Sequence, residues 1–232
     1  MRANETARRD AYPEEERYPF ASVLVLSLAY FVTFGAELTV VSLLPTFFAQ
    51  TFGLQIAAAS AAGSAFAFTN LVTRPGGGIA SDVAASRTRV LVVLLGGTAV
   101  TFVAMSTMSG GWPIILGIGL VALASVFVQG GNGAVYAMVP LVKRRVGGQI
   151  AGIAGAYGNI GGVLFSSVLF FTIDEQHPIG NTRLLFMVIA AAAALVAVLC
   201  RWLPERSPLE DAAEDAELAA ILDEGAAVSV VP

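Results

Sequence analysis

The chain has 232 residues, of which 56% are hydrophobic and 13% are charged, and its formal net charge is −4. A globular domain carries about 25% charged residues, so this composition excludes an ordinary soluble domain and a soluble enzyme with it. One cysteine and one histidine argue against a disulfide framework and against a metal site built from such ligands, and we expect no catalytic site, metal or cofactor.

The charges are concentrated at the two ends of the chain. Residues 1–17 contain four arginines and five acids, and residues 204–232 contain one arginine and eight acids. Residues 18–203 contain eight basic and four acidic residues, so the middle of the chain has a net charge of +4. This pattern predicts a cationic membrane core over 20–204, a head over 1–19, and an acidic, disordered tail over 205–232. We expect the core to have the lipid bilayer as its partner, and we expect no nucleic acid as a partner.

Six apolar segments follow one another along the core, each long enough for the about 20 residues that cross a hydrocarbon layer of roughly 30 Å. They are 22–48, 56–80, 90–108, 112–142, 150–173 and 184–203. Backbone polar groups in lipid must be satisfied within each segment, and the runs are continuous rather than alternating. The sequence therefore predicts an all-α membrane protein with six transmembrane helices.

The basic residues outside the apolar segments predict the orientation. With six helices, the head, the second loop, the fourth loop and the tail share one side, which holds eleven of the thirteen Lys and Arg. The opposite side holds Arg183, and Arg74 lies inside the second segment. The positive-inside rule therefore places both termini in the cytoplasm, in a multi-pass protein of the plasma (inner) membrane.

The first segment carries Glu37 near its middle. Ionisable residues inside membrane segments are expensive, and they mark pairing or a substrate path. Three interpretations stay open for this carboxyl group. It is a counter-ion for Arg74, a proton carrier, or a protonated anchor that hydrogen-bonds to another helix.

The second segment carries Arg74, eight residues before Asp82 at the predicted cytoplasmic end. At 1.5 Å per residue the arginine lies about 12 Å inside that end, close to the midplane. A charge there costs roughly 2.5–3.5 kcal/mol, so it faces a cavity or a partner. The planar guanidinium fork matches a planar oxyanion in a bidentate way. The alternative is a structural ion pair, with Glu37 as the obvious acid.

Three residues at the end of the second segment form a candidate cytoplasmic loop motif. Gly78 and Asp82 precede a short loop, and Arg87 follows it. A carboxylate at a helix end can latch to basic residues across such a loop. An ordinary loop on the positive side of the membrane would have a similar composition.

The fourth segment places polar side chains on one face. Gln129, Asn132 and Tyr136 are three and four residues apart, so they share one side of a helix. We expect this face to point into the bundle or into a water-filled path.

The fifth segment carries a stripe of small residues. Its members recur every three or four residues, and they are Gly148, Gly152, Gly155, Gly158 or Asn159, and Gly162. Such stripes let membrane helices approach closely, and close packing is one interpretation. In the other, Asn159 supplies a neutral donor to a cavity that the stripe faces. No glycine string here is a nucleotide-binding fingerprint, because none follows a strand or precedes a Walker lysine.

Four stretches, taken in order, resemble the nitrate/nitrite porter family of the major facilitator superfamily. They are YFVTFGAEL at 30–38, RPGGGIASD at 74–82, GGNG at 130–133 and GAYGNIGG at 155–162. The resemblance covers residues 18–205 and matches the C-terminal six helices of a twelve-helix transporter. It implies half of an alternating-access transporter for nitrate or nitrite.

The resemblance also implies roles for individual residues. Arg74 falls on the family's substrate arginine of the eighth helix, and Gly155–Gly162 falls on its eleventh-helix signature. The expected substrate-binding residues are Arg74, Asn132, Tyr136, Gly155, Gly158, Asn159 and Gly162. The family's cytoplasmic loop motif is partly kept, because Val83 stands where a basic residue is usual.

The six helices of the N-terminal half are absent from this sequence, and alternating access needs two bundles around a midplane site. We therefore expect a fragment or a split half that pairs with a separate N-terminal half, or, as a further option, with a second copy of itself. The competing functions are a non-transporting membrane scaffold or remnant, and a transporter of another small anion.

Overall fold

The computed structural model describes residues 18–204 and Ala216. Within 18–204 it contains six α-helices, all long and apolar enough to cross a membrane. They are α1 Phe20–Phe52, α2 Ile56–Val83, α3 Arg87–Met105, α4 Ile114–Val142, α5 Gly147–Phe170 and α6 Thr182–Leu199. The prediction of an all-α, multi-pass membrane protein is confirmed. Most of the predicted head and nearly all of the predicted tail lie outside the described residues.

The helices differ from the predicted segments mainly at their ends. α1 continues to Phe52, four residues beyond the apolar segment, and ends where Gly53 adopts a left-handed φ of 67°. α3 begins at Arg87 because the side chain of Ser86 accepts a hydrogen bond from the Arg89 amide at 3.2 Å. Hydropathy marks the apolar stretch alone, whereas capping groups set where the helix begins and ends.

Three prolines lie inside helices rather than at their ends. They are Pro45 in α1, Pro75 in α2 and Pro140 in α4. Membrane helices accommodate an internal proline when neighbouring groups satisfy the freed carbonyl. Pro75 directly follows Arg74, so the helix that carries the buried charge also lacks one backbone donor there.

α1 is the central helix, and it packs against each of the other five. Its buried side chains contribute to two apolar clusters, one around Phe48, Phe66 and Phe102 and the other around Leu26 and Leu91. Glu37 is 9% exposed and lies on this central helix. The Glu37 side chain is therefore surrounded by neighbouring helices.

Glycines permit two backbone-to-backbone helix contacts. In the α2–α4 contact, a Cβ on Gly77 would overlap the carbonyl oxygen of Gly130, and a Cβ on Gly133 would overlap the carbonyl oxygen of Arg74. A side chain at either glycine would therefore force the two helices apart. The close approach fixes the backbone of Arg74 against α4.

The second contact joins α1 and α5. A Cβ on Gly35 would lie 2.6 Å from the carbonyl carbon of Gly161, and a Cβ on Gly161 would overlap the carbonyl oxygen of Phe31. The two glycines face each other across the interface. They hold α5 against the same stretch of α1 that carries the aromatic and acidic residues of the site described below.

Candidate functional site

The guanidinium of Arg74 is held by two aromatic side chains of α1. Its Nη2 donates a hydrogen bond to the hydroxyl of Tyr30 at 2.7 Å. Its central carbon lies 5.6 Å from the centroid of the Phe34 ring, which is a cation–π distance. Tyr30 is 3% exposed, so this partner is itself fixed by packing. The charge is thus positioned by α1 although it belongs to α2.

Three aromatic rings connect Arg74 to α4 and α5. Tyr30 stacks on Phe34 with centroids 4.9 Å apart, and it meets Tyr136 of α4 edge-on at 4.8 Å. On α5, a Cβ at Gly158 would come within 2.7 Å of the Tyr30 ring and 2.8 Å of the Phe34 ring. A Cβ at Gly155 would lie 3.4 Å from the Tyr136 hydroxyl. Gly158 therefore leaves the room that the Tyr30 and Phe34 rings occupy, whereas a Cβ at Gly155 would make an ordinary contact.

An open groove of about 500 Å³ runs along α2 beside the guanidinium. It is lined by Ala67, Phe68, Asn70, Leu71, Arg74 and Pro75. Arg74 is half-buried, and within residues 18–204 the one hydrogen bond of its guanidinium is the bond to Tyr30. The remaining guanidinium donors are therefore available to a ligand in the groove, and their charge and planar geometry suit an oxyanion.

Glu37 joins three helices through its two carboxylate oxygens. Oε1 accepts a hydrogen bond from Nδ2 of Asn70 on α2 at 2.9 Å, and Oε2 accepts one from Nδ2 of Asn132 on α4 at 2.6 Å. Among the described residues Glu37 and Arg74 form no direct ion pair. The hydrogen bonds to α2 and α4 agree with the interpretation as a helix–helix anchor, and the role as a proton carrier stays a prediction.

The polar face of α4 points into the bundle at two of its three positions. Gln129 and Asn132 are fully buried, whereas Tyr136 is 39% exposed. Nε2 of Gln129 donates to the Phe66 carbonyl at 2.8 Å and to the Ser125 hydroxyl at 3.0 Å. Within the described part of the chain, Oε1 of Gln129 and Oδ1 of Asn132 have no hydrogen-bond partner.

The glycine stripe of α5 divides into a packed part and an open part. A Cβ on Gly148 or Gly152 would meet nothing within 4 Å, whereas one on Gly162 would lie 3.0 Å from the Leu38 side chain. The closest approach to α1 is at Gly161, which the predicted stripe omitted. The amide of Asn159 is exposed, and it donates to the carbonyl of Gly155 in its own helix at 2.9 Å.

The loop motif residues come together at the α2–α3 junction. Nε of Arg87 lies 3.5 Å from Oδ1 of Asp82, and the two side chains are 30% and 57% exposed. Gly78 faces α4, where a Cβ would lie 3.5 Å from the carbonyl oxygen of Gly133. The junction therefore contains an Asp82–Arg87 ion pair, and Gly78 lies one turn before Asp82 in the α2–α4 contact.

Sequence reasoning missed several residues that the structure places at the site. They are Tyr30, Phe34 and Asn70 around the groove, and Gly35, Gly77, Gly133 and Gly161 in the close contacts. Asn70 was detectable because it lies four residues before Arg74, on the same helical face. The aromatic partners had no such signal, because they belong to another helix.

Residues 26–230 match the family model of the Major Facilitator Superfamily. The chain is 43% identical over 197 residues to the nitrate/nitrite transporter NrtP of Picosynechococcus sp., and this match covers 82% of the chain and 37% of the relative. It is 37% identical over 192 residues to NrtP of Nostoc punctiforme, and this match covers 83% of the chain and 37% of the relative. It is 30% identical over 183 residues to the high-affinity nitrate transporter 2.3 of Oryza sativa subsp. japonica, and this match covers 75% of the chain and 34% of the relative. The chain spans little more than a third of the length of these relatives.

Proposed function

This chain belongs to the Major Facilitator Superfamily and, within it, to the nitrate/nitrite porter family, and from that premise we propose that it forms one half of a nitrate or nitrite transporter. In this proposal the chain supplies one wall of an anion site that a second six-helix bundle completes. The second bundle is an N-terminal half or, as a further option, a second copy. Two bundles that rock around a shared midplane site give alternating access.

Arg74 carries this proposal. Its guanidinium is fixed from one side by Tyr30 and Phe34, and it faces the open groove with its other donors. A planar fork of N–H donors binds a planar oxyanion through two parallel hydrogen bonds, which a point charge does not reproduce. A group that is already held in place loses little conformational entropy when the anion binds.

The remaining expected site residues belong to α4 and α5, and in this proposal they border the anion site. Gly158 leaves room for the Tyr30 and Phe34 rings, Gly155 faces the Tyr136 hydroxyl, and Gly162 faces the Leu38 side chain. The exposed Asn159 presents an amide on the same helix. On α4, Tyr136 is partly exposed, whereas Asn132 is fully buried and contributes through its hydrogen bond to Glu37. These residues shape the cavity, whereas Arg74 supplies the charge.

The orientation of the proposed transporter follows from its basic loops. Arg87 and Arg89 lie in the first turn of α3, and residues 143–145 lie between α4 and α5 on the same side, which the positive-inside rule makes cytoplasmic. In this proposal the protein lies in the plasma (inner) membrane, and both termini lie in the cytoplasm. A cysteine-accessibility map of the loops in intact cells tests this orientation.

A chimera tests the proposed function. The full chain replaces the segment that it matches in the Picosynechococcus relative, and labelled nitrate uptake is measured in a host that lacks its own nitrate transporter. We expect uptake by the chimera and its loss on Arg74→Lys, because a point charge replaces the fork. Arg183→Lys is the matched control, since that arginine is exposed in the first turn of α6.

The same assay separates the competing functions. A chimera that reaches the membrane but takes up no nitrate or nitrite favours the scaffold. Stronger competition by formate or chlorate than by nitrate or nitrite favours another small anion as the substrate. Uptake that is unchanged by Arg74→Lys contradicts the role assigned to the arginine.

A further inference from the structure

We propose that Asn70 is a second anion-binding residue, which donates an N–H to the bound anion beside Arg74 and is held in position by Glu37. This inference rests on the proposed function, because it places Asn70 in the same anion site. It goes beyond that function by naming a neutral donor and the carboxylate that orients it.

Asn70 and Arg74 lie on one face of α2. They are four residues apart, which makes them neighbours along the surface of a helix, and both line the open groove. Asn70 is half-buried, so part of its side chain reaches that groove. An anion held by the guanidinium is therefore within reach of the Asn70 side chain.

Glu37 determines which way the Asn70 amide points. Oε1 of Glu37 is 2.9 Å from Nδ2 of Asn70, and a carboxylate oxygen accepts from the amide nitrogen but not from the amide oxygen. One N–H of Asn70 is used in this bond. The second N–H of the same nitrogen has no hydrogen-bond partner among the described residues, so it is available to a ligand.

The carboxylate is itself fixed from the other side. Its Oε2 accepts from Asn132, which is fully buried on α4, at 2.6 Å. Glu37 therefore acts on the anion site through Asn70, and it is a positioning residue rather than a binding residue. This arrangement also explains why a buried acid lies near Arg74 without pairing with it directly.

A neutral donor next to the arginine suits nitrate in particular. Nitrate has three oxygens in one plane, and a bidentate guanidinium engages two of them. An amide N–H at the edge of the same site is placed for the third, which nitrite lacks. Asn159, the donor expected from the sequence, also keeps a second N–H, but its hydrogen bond runs to the carbonyl of Gly155 in its own helix and not to a buried carboxylate.

The test uses the chimera described above with Asn70→Ala and Asn70→Asp. We expect the KM for nitrate to rise about tenfold with Asn70→Ala, because a hydrogen bond to a charged ligand is lost. The KM for nitrite rises less, so the ratio of nitrate to nitrite uptake falls. Asn70→Asp abolishes nitrate uptake, because it adds a second carboxylate beside Glu37. Ser64→Ala is the matched control on α2, since the Ser64 hydroxyl is exposed and bonds to its own helix.

Membrane abundance is measured for every variant. If Asn70→Ala does not reach the membrane, Asn70→Ser replaces it, because a single hydroxyl donor cannot serve Glu37 and the anion together. We expect the same rise in the KM for nitrate from that variant.

A double-mutant cycle isolates the role of Glu37. Glu37→Gln raises the KM for nitrate in the unaltered chain, and it adds no further rise to Asn70→Ala if it acts through Asn70. If the two substitutions raise the KM independently, so that their effects multiply in the double mutant, the positioning role of Glu37 is overturned. A KM within twofold of the unaltered chimera in Asn70→Ala overturns the inference and leaves the proposed function standing. An unaltered chimera without uptake of any anion overturns both.

Discussion

The guanidinium of Arg74 and the hydroxyl of Tyr30 are joined by a hydrogen bond of 2.7 Å that links α2 to α1. Arginine side chains carry about 2 kcal/mol of rotamer entropy, which is lost when the group is fixed. Tyr30 imposes that order before an anion arrives, because the tyrosine is buried and stacked on Phe34. The site is therefore organised by a helix that does not carry its charge.

Tyr30→Phe tests this preorganisation. The ring and its stacking stay, while the acceptor for Arg74 is removed. We expect the KM for nitrate of the chimera to rise several-fold with the maximal rate nearly unchanged, since a hydrogen bond of about 1 kcal/mol is lost. Tyr157→Phe on α5 is the matched control, because the hydroxyl of Tyr157 has no hydrogen bond within the described residues. A KM equal to that of the control contradicts the positioning role.

Gly77→Ala tests the α2–α4 contact. The new Cβ would overlap the carbonyl oxygen of Gly130, so the helices must separate. Forced overpacking costs about 1–3 kcal/mol, and we expect a clear drop in the thermal midpoint of the purified chain in detergent. Gly76→Ala is the control one residue away, where a Cβ would meet nothing within 4 Å. Equal midpoints for the two variants would show that the contact does not support the fold.

Gly161→Ala tests the α1–α5 contact in the same way. Its Cβ would overlap the carbonyl oxygen of Phe31, whereas a Cβ on Gly152 of the same helix would meet nothing within 4 Å. We expect Gly161→Ala to lower the thermal midpoint and Gly152→Ala to leave it unchanged. The comparison also decides which part of the glycine stripe packs helices. A larger loss from Gly152→Ala would place the interface elsewhere.

The sequence predicts the helices well and the site only in part. Six apolar runs determine six helices because lipid leaves the backbone no other partner. Arg74 stands out because a charge at that depth is costly unless it faces a partner or a cavity. Tyr30 and Phe34 do not stand out, because aromatic residues are ordinary in an apolar helix and their contact with Arg74 depends on how α1 and α2 cross.

Glu37 and the glycine stripe show the same limit of sequence reasoning. The sequence left Glu37 as a counter-ion, a proton carrier or an anchor, because only packing decides which partners a buried carboxylate meets. Asn70 and Asn132 are those partners, from two different helices. The stripe was predicted from a period of three or four residues, whereas the contact with α1 is centred on Gly161. Periodicity finds the face of a helix but not the height at which another helix crosses it.

The Asp82–Arg87 ion pair at the α2–α3 junction is expected to contribute little to stability. The two side chains are 57% and 30% exposed, and exposed pairs contribute about 0–1 kcal/mol. Asp82→Asn should therefore lower the thermal midpoint far less than Gly77→Ala does.

The difference in thermal midpoint between Asp82→Asn and the unaltered chain should shrink in 1 M salt, where the screening length is about 3 Å. Asp82→Ala in high salt is the control, because a packing role of the side chain would survive screening. If Asp82→Asn abolishes uptake by the chimera while the midpoint stays unchanged, the pair acts on the transport cycle rather than on the stability of this bundle.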